Sequence, residues 1–164
     1  MATHQLPIGK ESVMPSTQPT FEIVAANASH AMDLAHMNAE FNDLNRDPAE
    51  IAQHLENGNE IVLVAVVDGQ AIGFICAQTY TSFCYDHPYA EIMELYIRQP
   101  FRRKGIGLAL LRAIEQALYK QGVLHVKLLT GLNNIAAWQT YQSAGYTREE
   151  HDVVFSRKLT LDNR

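Results

Sequence analysis

The chain has 164 residues, 47% of them hydrophobic and 19% charged, enough for one ordinary core and too few for two comfortable domains. Its 13 Lys and Arg against 18 Asp and Glu leave a net charge of -5, which argues against a general nucleic-acid binder, because a phosphate-tracking surface makes a domain basic. Cys76 and Cys84 have no metal-ligand spacing around them, so no disulfide framework or zinc site is indicated, and no apolar run approaches the ~18 residues of a membrane span.

Residues 1–20, with His4, Lys10, Glu11 and three prolines, lack a continuous apolar signal core and read as a flexible tail. A single domain over 21–164 in a cytoplasmic protein is expected. A short strand is predicted over 21–25, then a helix from Ser29 with Met32, Ala35, His36 and Ala39 on one face. Asp47, Pro48 and Glu50 supply an N-cap, a proline at the first helical position and a capping-box acid, with Asn57-Gly58 as the stop. Residues 61–67, the turn Asp68-Gly69 and residues 70–80 read as a hairpin, since Asp-Gly suits the left-handed backbone of a tight turn. Its first arm is apolar throughout, which predicts burial on both faces. A loop carrying Phe83, Tyr85, His87 and Pro88 leads to a strand over 89–97. The helix over 107–120 repeats Gly107, Leu110, Leu111, Ile114, Ala117 and Leu118 at helical spacing and closes at Gly122. A strand over 123–129, a helix from Asn133 through Ala137, Trp138 and Tyr141 to Gly145, and a last strand over 153–159 complete an α/β order with one central βαβ unit.

The most informative segment is Arg102-Arg103-Lys104-Gly105-Ile106-Gly107. Four of the seven residues over 98–104 are basic in an otherwise acidic chain. The glycines remove Cβ atoms that would hold a ligand off the backbone, and the helix that follows aims its unpaired N–H groups at the same spot. This is the chemistry of a pyrophosphate cradle, although many helices simply begin at a Gly-x-Gly. A dinucleotide fingerprint needs a third glycine where Leu110 stands, and a P-loop needs Gly-Lys-Ser/Thr, so NAD and ATP are disfavoured.

Arg102-x-x-Gly105-x-Gly107, after a strand and ahead of an apolar-faced helix, resembles the acyl-CoA signature of the GNAT family of N-acetyltransferases. Asn134-x-x-Ala137-x-x-x-Tyr141-x-x-x-Gly145-Tyr146 resembles the family's later helix in order and spacing, and the similarity covers roughly residues 21–160. The resemblance implies a GNAT-type mixed, mostly antiparallel sheet of six to seven strands flanked by about four helices, with a splayed central strand pair. It also implies acetyl-CoA as co-substrate and no metal. The backbone N–H groups of Arg103, Lys104, Gly105, Ile106, Gly107 and Leu108 would hold the pyrophosphate, with Arg102 adding charge. The main chain of Leu95, Tyr96 and Ile97 would pair with the pantetheine amides, Asn134 would touch the pantetheine arm, and Tyr141 would face the thioester sulfur as general acid.

Acetyl transfer needs a neutral amine, and an ammonium with a pKa near ~10.4 leaves about one molecule in a few thousand neutral at pH 7. Glu91 and Glu94 are the candidate bases, because carboxylates on an apolar strand are costly without a partner or a task. Strict alternation sets them on opposite faces, and a bulge would decide which meets the acceptor. In the family, Glu91 stands where histone acetyltransferases carry their base and Glu94 where several small-amine members carry an acid. Glu94 is preferred, and a salt bridge is the alternative use of either. Cys76 and Cys84 read as buried small hydrophobes. The seven histidines show no ligand spacing, and His87 is the one to test for acceptor contact.

The family's acceptor pocket corresponds to residues 38–47, 82–89 and 148–152. Their acids, Glu40, Asp43, Asp47, Asp86, Glu149, Glu150 and Asp152, would suit a cation. The expected activity is N-acetylation of a primary amine of a small cationic molecule. A protein or peptide amine, and a non-catalytic acyl-CoA sensor, are the alternatives, and the resemblance allows a homodimer.

Overall fold

Local capping sets the first elements. In the computed structural model, which describes residues 20–159, β1 (Glu22–Ala25) leads into a 3-10 turn (Ala28–His30) whose N-cap, Asn27, accepts from the Ser29 N–H at 2.9 Å. Apart from Thr20, the expected tail lies outside the described residues. Helix α1 (Ala31–Asn42) continues from that turn, and its phase buries Ala31, Leu34, Ala35 and Met37. The expected face is therefore rotated: Met37 is 0% exposed and Met32 55%. Helix α2 (Pro48–Asn57) starts as expected, with Asp47 accepting from the Ala49 N–H at 2.9 Å. Glu50 does not close a capping box; it pairs with Arg46 at 3.4 Å.

Strands β2 (Glu60–Val67) and β3 (Gln70–Tyr80) form the expected hairpin, and Asp68 and Gly69 take φ values of 50° and 80°. Residues 71–77 of β3 are buried without interruption, whereas β2 is mostly half-buried. The first arm is therefore not buried on both faces as expected, and the second arm is. The reason is position, since β3 lies at the centre of the order β1-β2-β3-β4-β5 and is packed on both faces.

The remaining elements are β4 (Tyr89–Ile97), a 3-10 turn (Gln99–Phe101), α3 (Ile106–Lys120), β5 (His125–Leu128) and α4 (Ile135–Ala144). Only β4 and β5 run parallel, with α3 as the crossover between them. Ile106, Leu110, Leu111, Ile114 and Leu118 of α3 are fully buried against one face of the sheet, each worth about 1.5–3 kcal/mol relative to exposure. Leu34 and Met37 of α1 pack on the other face with Val64, Phe74, Cys76 and Tyr96.

Two features of β4 shape everything nearby. Cys76 pairs with Glu94 and Ala77 with Ile92, so Met93 has no partner on β3 and forms a bulge. Pairing with β5 covers only Tyr89 to Ile92, so β4 continues five residues beyond it. The β4–β5 ladder thus ends next to the bulge.

Among the described residues the sheet has five strands, not six to seven. The strand expected over 153–159 is absent, and that segment runs without ladder partners with Phe155 92% exposed. An alternating apolar run supplies only the capacity to pair; a ladder also needs an edge about 4.8 Å away. Among the described residues, no helix is long and apolar enough to cross a membrane.

The rotated face of α1 gives a direct test. Met37→Ala should lose about 2–5 kcal/mol of stability, while Met32→Ala stays within about 0.5 kcal/mol of the parent, read from urea midpoints at constant m-value.

Candidate active site

Directly paired strand residues share a face of the sheet. Glu94 pairs with Cys76 and Glu91 with Gln78, and 76 and 78 lie on the same side of β3. The bulge thus brings both carboxylates to the α1/α2 face, which corrects the expectation from strict alternation. Glu91 is occupied: Lys127, its partner on β5, places Nζ 3.0 Å from it, and that hydrogen bond raises the Lys127 pKa. Glu94 has no ion pair among the described residues. Burial, and then the charge of Glu60, hold its carboxyl above the ordinary carboxylate value.

Glu94 opens into a cavity of about 320 Å³ between the sheet and the first two helices. Its walls include Leu34, Ile51, Val62, Phe74 and Cys76, with Asn38, Leu44 and Arg46 from the expected stretch over 38–47. None of the seven acids expected to line it does so. Glu40, for one, accepts from the Tyr96 hydroxyl at 2.9 Å and from Arg98 Nε at 3.1 Å. The carboxylates that do line the cavity are Glu94 and Glu60, and Glu60 was not singled out from the sequence. The signal was available, since Glu60 is a carboxylate at the head of the apolar run 61–67 and invites the same desolvation argument as Glu91 and Glu94.

Cys76 is buried as expected, and burial, followed by the charge of Glu60, pushes its thiol pKa up. Cys84 is exposed, contrary to expectation, because it sits in the loop after β3 rather than in the strand. His87 stacks on Tyr89 with ring centroids 5.3 Å apart and does not line the cavity. A wider concavity of about 510 Å³, near Arg112 and Lys120 of α3, contains none of the candidate residues.

Beyond Met93 the far edge of β4 is open. The Arg98 N–H donates to the Ile72 carbonyl at 2.9 Å, so by antiparallel alternation Tyr96 also turns its main-chain groups to β3. Leu95 and Ile97 turn theirs to the open side. The Ile97 carbonyl accepts from Arg102 Nε at 2.8 Å, and the Arg102 guanidinium lies 5.6 Å from the Tyr96 ring centroid. Arg102 therefore folds back on the strand.

The turn that follows places Arg103 at φ 60° and Gly105 at φ 79°, both left-handed. No side chain caps α3, and the helical bond closing its first turn runs from the Ala109 N–H to the Gly105 carbonyl at 3.0 Å. The N–H groups of Ile106, Gly107 and Leu108 consequently have no helical acceptor. A Cβ on Gly107 would stand 3.3 Å from Ile97 Cδ1 and 3.5 Å from Thr140 Cγ2, so this glycine lets α3 approach both β4 and α4. Free N–H groups beside Arg103 and Lys104, next to free strand-edge amides, fit an acyl carrier with a pyrophosphate and an amide-bearing arm.

Helix α4 packs against α3, with Thr140 beside Gly107. Asn134 is its N-cap and accepts from the Ala137 N–H at 3.3 Å, which still leaves its amide N–H groups as donors. Tyr141 packs half-buried against the α3-side core. Burial, and then the charge of Glu94, raise its pKa.

An uncapped, glycine-turned helix start beside a free inner strand edge, with a carboxylate and a phenol nearby, has the form of an acyl-transfer site. The chain belongs to the GNAT acetyltransferase family, whose model matches residues 28–146. It is 34% identical over 101 residues to an aminoglycoside N(6')-acetyltransferase of Klebsiella aerogenes, covering 60% of this chain and 66% of that one. It is 38% identical over 93 residues to an N-acetyltransferase of Methanocaldococcus jannaschii, covering 56% of this chain and 40% of that one. The chain thus spans less than two thirds of either relative. The aminoglycoside N-acetyltransferase AAC(6')-Iy, solved in complex with CoA, has the same fold, with a TM-score of 0.74 at 21% identity over 88% of this chain and 99% of that one.

Gly105 supplies a clean test of the turn. Nothing lies within 4 Å of a Cβ added there, so the cost of Gly105→Ala comes from its φ of +79° alone. Chemical denaturation should show a loss of about 1–2 kcal/mol.

Proposed function

We propose that this protein is an acetyl-CoA-dependent N-acetyltransferase whose acceptor is a primary amine of a small cationic molecule. The observation that carries the reading is the position of Glu94, a carboxylate without an ion pair among the described residues that lines the α1/α2 cavity from the part of β4 beyond its pairing with β5. The naming of relatives as aminoglycoside acetyltransferases supports a small cationic acceptor. A cavity of about 320 Å³ also suits a small molecule rather than an extended peptide.

Acetyl-CoA supplies the acetyl group as a thioester. The N–H groups of Arg103, Lys104, Gly105, Ile106, Gly107 and Leu108 hold its pyrophosphate, and the main chain of Leu95 and Ile97 takes the pantetheine amides. Asn134 offers its free amide donors to the same arm. Glu94 accepts a proton from the acceptor ammonium, and its raised pKa makes it a stronger base than an ordinary carboxylate. The freed nitrogen bonds to the acetyl carbon as the carbon–sulfur bond breaks, Tyr141 donates a proton to the departing sulfur, and the second proton lost from the acylated nitrogen passes through solvent to restore the Tyr141 phenol. A raised pKa keeps Tyr141 protonated at neutral pH, as an acid must be. Direct attack needs no enzyme nucleophile, consistent with a buried thiol at Cys76 whose pKa is pushed up.

An amine panel of polyamines, aminoglycosides, amino acids and peptides, read by thiol release, tests the reading. Tyr141→Phe should lower kcat by about a hundredfold or more with acetyl-CoA affinity unchanged. Wild-type protein that binds acetyl-CoA and consumes none with any amine would instead be a sensor. Arg103→Glu with Lys104→Glu should weaken acetyl-CoA binding, and unchanged affinity would rule out the cradle.

The pH profile gives an independent check. Glu94 must be ionised to act, and its pKa is raised, so kcat/KM should fall on the acid side at a higher pH than an ordinary carboxylate would give. In Glu94→Gln that limb should vanish, leaving only the titration of the free amine.

A further inference from the structure

We infer that Glu60 is a second anchor in the acceptor cavity, a specificity-determining carboxylate that holds a second ammonium group while the first is acetylated beside Glu94. This rests on the reading of the cavity as the acceptor site.

Glu60 opens β2 and pairs with Gln78, which places it on the sheet face that also carries Cys76 and Glu94. Its side chain is 16% exposed, and its Oε2 lies 2.9 Å from Nε2 of His54, 51% exposed at the rim, which leaves Oε1 for a second partner. Glu60 and Glu94 line the same cavity from strands on either side of β3, opposite Gln78 and Cys76, so their main chains stand about 12 Å apart. Between them the wall is largely apolar, with Val62, Phe74 and Cys76. Arg46, the arginine at this cavity, is paired with Glu50 at 3.4 Å. Glu94 and the second oxygen of Glu60 therefore have no Lys or Arg partner among the described residues, and desolvated carboxylates are costly until a cation meets them.

An acceptor with two amines fits both positions and the chemistry. The nitrogen beside Glu94 must give up its proton to attack. The nitrogen beside Glu60 has no such task and at neutral pH remains an ammonium, with a pKa near ~10.4, able to form a charge-assisted hydrogen bond. A monoamine of equal length can use only one of the two sites. The acceptor class is thus a molecule with two cationic centres joined by a short spacer.

The test compares 1,4-diaminobutane and 1,6-diaminohexane with n-butylamine and n-hexylamine on wild-type protein and Glu60→Gln. Glutamine keeps the side-chain volume and a hydrogen-bond acceptor for His54, and an unchanged Tm would verify the fold. Wild-type kcat/KM should favour the better diamine over its monoamine by about tenfold or more, and Glu60→Gln should collapse that ratio toward one, chiefly through KM. Calorimetric titration of the diamine onto the CoA-bound protein should weaken by about the same factor in the variant. Equal ratios in the two proteins, equal calorimetric affinities, or no diamine binding to wild type would each overturn the proposal. Glu60-dependent diamine binding without acetylation of any amine would leave the anchor standing and remove the transferase reading.

Discussion

One residue, Met93, has no partner across the β3–β4 ladder, and the candidate site depends on that irregularity. Before the bulge, Ala90 and Ile92 face the α3 core; after it, Leu95 and Ile97 do. The core face of β4 therefore survives the extra residue. The opposite face takes up the change and gains Glu94 on the side where Glu91 already lay. Pairing with β5 ends at Ile92, next to the bulge, as expected where a bulged strand bends and twists away from its neighbour. A single insertion thus accounts for a free strand edge and for a carboxylate opposite Cys76.

The acids of the chain differ less in type than in what surrounds them. Lys127 meets Glu91, Tyr96 and Arg98 meet Glu40, and His54 meets one oxygen of Glu60 while the other stays open to the cavity. Partly exposed pairs of this kind add little to stability, commonly under ~1 kcal/mol. Their importance is that they decide which carboxylate is left over. Glu94 lies in the cavity without an ion pair among the described residues, and desolvation outweighs every other influence on it. The same ordering, burial first and a neighbouring carboxylate second, raises both Cys76 on the α1 face and Tyr141 on the α3 face.

Several residues serve the scaffold and the candidate site at once. Asn134 starts α4 with its carbonyl oxygen and keeps its amide donors. Gly107 lets α3 pack against Ile97 and Thr140 while adding a free N–H to the helix start. Arg102 is the instructive departure, because its Nε is satisfied by the Ile97 carbonyl and its charge lies toward Tyr96. The positive character of the turn then falls mainly to Arg103 and Lys104 and to the N-terminal dipole of α3.

Elements governed by contacts a few residues apart were legible in the chain itself. The Asp68-Gly69 hairpin, the Asp47-Pro48 start of α2, the apolar stripe of α3 and the Gly145 stop of α4 each rest on local φ preference, capping or helical period. So did the glycine turn and the spacing of Asn134 and Tyr141, which carried the family. What a residue pairs with across the sheet was not legible, because one unpaired residue inverts every alternation after it and leaves no mark in composition. The bulge at Met93, the end of the β4–β5 ladder, the unpaired segment 153–159 and the phase of α1 are of that kind. Glu60 belongs with them, since a carboxylate becomes a cavity wall only when strands distant in sequence bring Glu94 to the same face. The sequence by itself determined the family, the helices and the anion-binding turn, all products of short-range chemistry. Only the tertiary structure decided which carboxylates share a cavity, because strand register is a property of the assembled sheet.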